Sequence, residues 1–162
     1  MLLLRQQLSL DAYIRSLGPA AWFRMDQGVT VTGAGISQVD DLSGNARHLL
    51  DPGTTRPIYL PYSGTKYLYS PAVNGNYAST PNAAANQIVG DIDIRARVSL
   101  NDWTPSTDNQ LCSKFGSAPN RAWRFLVVST GLAGRLQFQW SIDGTNLRTV
   151  TSTVAVSAAD GA

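Results

Sequence analysis

Apolar and polar residues alternate with a period of two through much of the second half of the chain. Over residues 91–98, Ile92, Ile94, Ala96 and Val98 fall on one side, and Asp91, Asp93, Arg95 and Arg97 on the other. A β-strand sends successive side chains to opposite faces, so this is the pattern of a half-buried strand. Residues 121–128 repeat it with Trp123, Phe125 and Val127 on the apolar side. Residues 135–140 set Leu136, Phe138 and Trp140 against Arg135, Gln137 and Gln139. After a turn at Asp143-Gly144, residues 147–156 read as a long strand rich in Thr and Val. The expected core is Ile92, Ile94, Trp123, Phe125, Phe138 and Trp140.

The first half is less regular. One helix is expected, over residues 2–17, with Ser9 and Asp11 as candidate caps and Ala12, Tyr13, Ile14 and Leu17 as a partial apolar face. Gly18-Pro19 ends it. A strand over 20–25 carries Trp22. Residues 28–35 are turn-rich, 36–42 read as a short strand, and 43–45 and 51–53 as tight turns. Strands are expected over 57–60 and 66–69, a turn over 74–76, and a small-residue connection with one helical turn over 81–87. Short strands closely spaced by turns predict an all-β sandwich. The domain organisation expected is an N-terminal arm, 1–18, followed by a β-sandwich, 19–162. The arm is rich in leucine, and Leu2, Leu3, Leu4 and Leu8 are read as its assembly contacts.

Composition sharpens this picture. All eleven acidic residues are Asp, and Glu, a good helix former, is absent. The net charge of +2 is scattered, with no cluster of Lys and Arg, which argues against a nucleic-acid partner. No 18-residue apolar stretch exists, so no membrane insertion is expected. The opening apolar run stops at Arg5, too short for a secretion signal. Cys112 is the only cysteine, which excludes an intrachain disulfide and a cysteine-rich zinc site.

Several segments, in order, resemble a known family. Residues 17–26, Leu-Gly-Pro-Ala-Ala-Trp-Phe-Arg-Met-Asp, look like the helix-to-strand opening of concanavalin A-like (laminin-G-like) domains. Residues 39–48, Val-Asp-Asp-Leu-Ser-Gly-Asn-Ala-Arg-His, are similar to that family's Asp-x-Ser-Gly-Asn turn, and Thr55-Arg56-Pro57 follows. Residues 88–95, Ile-Val-Gly-Asp-Ile-Asp-Ile-Arg, resemble the strand opening the family's second half. Residues 110–114, 121–123 and 136–140 match its later strands. The resemblance implies a two-sheet antiparallel jelly-roll sandwich with a short N-terminal helix, incomplete after Gly161. It is nearest in style to domains in virion proteins of tailed phages. It therefore implies a non-enzymatic fibre, decoration or tail-associated protein, located in a virion assembled in the host cytoplasm. Its partners would be other virion subunits, including copies of itself, and host-surface glycans. The alternative is a carbohydrate-binding module of a cell-surface or secreted protein.

Catalytic chemistry finds little support. Glycoside hydrolysis needs two carboxyls at a set separation. Here Glu is absent, and Asp91 and Asp93 share a charged strand face with Arg95 and Arg97. His48, the only histidine, flanks a tight turn, and no Gly-x-Ser-x-Gly elbow accompanies it. Two binding readings remain open. Asp40, Asp41 and Asn45 crowd one turn, either as oxygen ligands for calcium or as turn residues bonded to their own backbone. Tyr62, Tyr67, Tyr69 and Trp103 either form a stacking surface for sugar rings or pack into the protein.

Overall fold

The computed structural model of the chain describes residues 9–51, 53, 56–62, 65–70, 77–82 and 90–161. Among the described residues the chain is all-β apart from one short helix, with two antiparallel sheets. It divides into two compact units, Met1–Ala83 and Ala84–Ala162, each with its own sheet. No helix among the described residues is long and apolar enough to cross a membrane.

The first unit opens with α1 (Leu10–Ser16). Ser9 caps it, its Oγ accepting from Ala12 N at 3.2 Å, and Gly18 at φ 59° closes it. The expected helix over 2–17 is described only from Leu10. Leu2, Leu3, Leu4 and Leu8 lie outside the described residues. Arg15 donates to Leu42 O at 3.1 Å and lies over the Trp22 ring, while Asp11 pairs with Arg24 at 2.5 Å. These contacts tie the helix to the first unit.

The sheet of this unit comprises β1 (Val29–Thr32), β2 (Gly35–Val39), β3 (Leu49–Leu50), β4 (Ile58–Tyr62) and β5 (Thr65–Tyr69). β1 and β2 form a hairpin, β3 pairs with β2, and β4 joins β2 on one side and β5 on the other. β1 was hidden in the sequence by its flanking glycines. Val29-Thr30-Val31-Thr32 is a strand, and Gly33, at φ 64°, begins the two-residue turn into β2. The strand expected over 20–25 does not form. Its backbone is satisfied otherwise: Trp22 N donates to the Asp41 carboxylate, Trp22 O accepts from Leu42 N, and Ala20 O accepts from Asn45 and Arg47. Gly35, Ile36 and Val39 of β2 are buried, as is Pro57 just before β4.

The second unit is a four-stranded meander of β6 (Asn109–Phe115), β7 (Arg121–Val127), β8 (Arg135–Trp140) and β9 (Arg148–Ala155), in that order. Each sheet is built from strands of its own half. Crossings from sheet to sheet, on which a jelly roll depends, do not occur among the described pairings. Residues 91–98 were expected as a strand, and among the described residues they join no ladder. Alternation reports one-sided burial, not a hydrogen-bond partner, and Ile92, Ile94 and Val98 are half-buried while Asp91, Asp93, Arg95 and Arg97 are exposed.

The core also differs from expectation. Ile92, Ile94, Trp123, Phe125, Phe138 and Trp140 are half-buried. The buried hydrophobic core of this unit is Trp103, Leu126, Val127 and Val128, with Leu126 and Val127 both 0% exposed; Pro105 and Gly134 are buried as well. Leu126 belongs to the face that alternation marks as polar. The loop 100–108 is pinned near the end of the sheet. Gly161 N donates to Leu100 O, Trp103 N to the Asp160 carboxylate, and Ser129 N to Asp108. A Cβ at Gly134 would lie 3.0 Å from Trp103 O. Leu126 and Val127, successive residues on opposite faces, are both buried where β7 ends.

Candidate functional site

The two faces of the β6–β9 sheet differ in chemistry. Pairing aligns Cys112, Phe125, Phe138 and Val150 across four strands on one face, with Trp123 and Trp140 in the neighbouring row. Phe138 and Trp140 stack with centroids 5.7 Å apart. Ile92, Ile94, Phe125 and Phe138 line an open apolar hollow of about 200 Å³. Burial pushes the Cys112 thiol pKa up, so it rests as an uncharged, unreactive group.

The opposite face carries a row of Ser113, Arg124, Gln139 and Thr149, followed by Leu126, Gln137 and Thr151. Its side chains form a chain of hydrogen bonds. Arg124 Nε donates to Gln139 Oε1 at 2.6 Å, Gln139 Nε2 to Gln137 Oε1 at 2.5 Å, and Gln137 Nε2 to Thr151 Oγ1 at 2.9 Å. Each link fixes the rotamer of the next, so the ladder is preorganised. The Arg124 guanidinium sits 4.5 Å over the Phe115 ring. Its two terminal nitrogens take part in no hydrogen bond among the described residues and remain available as donors. No carboxylate stands in these two rows. The ladder presents amide, hydroxyl and guanidinium groups and an aromatic edge, without the acid–base pair that turnover of a glycoside requires.

The turn after β2 is built around Asp41, 7% exposed. Its Oδ1 accepts from Trp22 N and Ser43 N, both at 2.9 Å, and its Oδ2 from Arg47 N at 3.0 Å. Burial opposes ionisation of this carboxyl. The Ser43 hydroxyl and the backbone N–H groups of Trp22, Ser43 and Arg47 outweigh it and hold the pKa below the usual range. Asp40 turns instead to Gln38 Nε2 at 2.6 Å and His48 Nδ1 at 3.3 Å. Asn45 uses its amide N–H group toward Pro19 O and Ala20 O. Calcium takes six to eight oxygens converging on one point. Asp40, Asp41 and Asn45 share the turn, and both Asp41 oxygens accept from backbone N–H donors.

The aromatic residues divide. Tyr67 and Tyr69 lie on one face of the β4–β5 hairpin, opposite Leu60 and Ile58, while the Tyr62 side chain lies outside the described ones. Tyr67 and Tyr69 are half-buried. Trp103 belongs to the second unit and is 7% exposed, in keeping with the packing alternative read for it. Arg124, Gln137, Gln139 and Thr151 were not among the expected site residues. Their signal was the polar half of the alternation over 135–140, which by itself does not distinguish a linked ladder from a solvated face.

No family model, curated protein or solved structure matches this chain.

Proposed function

We propose that this chain is a non-enzymatic virion protein of a tailed phage, of the fibre, decoration or tail-associated kind, that contacts glycans through the polar face of its second sheet. The observation that carries the glycan reading is the Arg124–Gln139–Gln137–Thr151 ladder beside Phe115. Fixed amide and guanidinium groups suit the directional hydrogen bonding of a neutral polyhydroxylated ligand, and the Phe115 ring supplies an apolar edge. The virion reading rests on the family resemblance of the sequence. Particle assembly is assigned to the N-terminal segment, in which Leu2, Leu3, Leu4 and Leu8 precede α1. Leu10, Tyr13 and Leu17 of that region are 70%, 44% and 49% exposed, an apolar stripe that a neighbouring subunit would cover.

Two measurements test the proposal. Mass spectrometry of purified particles should find the chain, and its absence from every particle fraction overturns the virion reading. A glycan array should return a bound class, and Arg124→Ala should weaken that binding about tenfold or more, the usual consequence of losing a charged hydrogen bond. Binding unchanged in Arg124→Ala overturns the ladder as the site.

A further inference from the structure

Phe115 gathers two positive charges. The Arg124 guanidinium lies 4.5 Å from the centre of its ring, and that of Arg121 lies 6.0 Å from the same point. Phe115 pairs with Arg121 across a register shift, two residues on from the pair of Ser113 with Arg124. Each guanidinium is fixed by a hydrogen bond to an uncharged oxygen: Arg124 Nε donates to Gln139 Oε1 at 2.6 Å, and Arg121 Nη1 to Thr145 O at 2.9 Å. The turn that Arg121 reaches holds one carboxylate, Asp143. Its oxygens are taken within the turn by the Ser141 hydroxyl, the Thr145 and Asn146 N–H groups and the Asn146 amide. Arg121 Nε is buried and meets no acceptor. This end of the ladder is rich in donors and positive charge and short of acceptors.

A guanidinium carries a permanent charge and presents its N–H groups in a planar fork. In Arg124 the Nε–H is committed to Gln139, which leaves Nη1 and Nη2. Two parallel N–H groups of this kind meet the two oxygens of a carboxylate. The Phe115 ring on one face and Gln139 at one edge hold the fork in place, so little side-chain freedom is lost when a ligand pairs with it. The hydroxyl groups of a sugar satisfy the amide links of the ladder but leave the charge of the two guanidiniums unmatched. A carboxylate on the same ligand matches it. Arg121, over the same ring, strengthens the attraction without touching the anion, since its charge acts well inside the screening length of about 8 Å at physiological salt.

We infer that the glycan held by the ladder bears a carboxylate, of the uronic or sialic acid class, which pairs with Arg124 while the ring hydroxyls meet Gln139, Gln137 and Thr151. The inference rests on the reading of the ladder as a glycan site and extends it from neutral hydroxyls to one acidic group. The full chain is titrated with matched probes: an oligogalacturonate and sialyllactose, the methyl ester of each, and a sulfated galactose oligomer. Esterification removes the charge and keeps the ring hydroxyls, so the comparison leaves the protein untouched. At least one acid should bind about tenfold or more tighter than its ester, as expected for a charged, forked hydrogen bond. In Arg124→Gln that difference should vanish, with circular dichroism matching the parent. Acid and ester bound equally, both more weakly in Arg124→Gln, overturn the acidic ligand and leave the ladder as a site for neutral glycans. A sulfated oligomer bound as tightly as the acids overturns the choice of carboxylate. Binding of every probe unchanged in Arg124→Gln, or no probe bound at millimolar concentration, overturns the inference together with the ladder as the site.

Discussion

The Asp41 carboxylate accepts from three backbone N–H groups contributed by segments 19 residues before it and up to six after it. Asp41→Ala leaves those donors without their acceptor in a buried site. The expected cost is about 2–3 kcal/mol, from one charged hydrogen-bond acceptor lost with donors left unmet. A urea titration checks this, and the loss should be the same in calcium and in chelator. Because the folded-state pKa is lowered, the contribution is fully present above the unfolded carboxyl value, near about 4. It is lost as pH falls through the lower folded value. Asp143 acts in the same direction. The Asn146 side-chain amide, then the backbone N–H groups of Thr145 and Asn146 and the Ser141 hydroxyl, hold its carboxyl well below the usual range. Acid titration followed by circular dichroism should therefore show stability falling only below the normal carboxylate range. At Gly144, φ is 79° and a Cβ would lie 1.8 Å from Pro119 O. Gly144→Ala should cost about 2 kcal/mol or more, combining a left-handed backbone with a backbone clash.

At the scale of elements, the meander from β6 to β9 was legible because Trp123, Phe125, Phe138 and Trp140 alternate cleanly with charged and amide residues. The alternation could not show that Leu126, on its polar side, is fully buried. It also could not show that Leu100, Trp103 and Asp108 meet Gly161, Asp160 and Ser129, partners separated by 21 to 61 positions. Nor could it show that Gln139 bonds Gln137 and Arg124, since a polar position reads alike whether linked or solvated. The segment 20–25 was misread because Trp22 suggests a strand, whereas the turn around Asp41 takes its backbone groups. These differences order the effects of truncation. Leu126→Ala should cost about 2–5 kcal/mol, as for a fully buried leucine. Phe125 is half-buried beside an existing hollow, so Phe125→Ala should fall below the about 3–5 kcal/mol of a fully buried Phe. Chemical denaturation of both variants checks the order, and a larger loss at Phe125 would place the core on the other face.

At the scale of the whole molecule, two units of similar size each carry one antiparallel sheet, and the proposed roles fall on different parts of the chain. The N-terminal stripe is assigned to assembly and the polar ladder to recognition. Only the last states what the protein acts upon, and it has the most direct test. With a glycan selected by the array, a two-dimensional NMR titration would follow the side-chain amide resonances of Gln137 and Gln139 and the guanidinium resonance of Arg124. The account predicts saturable shifts at these three side chains, with the hairpin residues Tyr67 and Tyr69 unmoved. Shifts confined to the β4–β5 hairpin, or none anywhere at millimolar glycan, would contradict it.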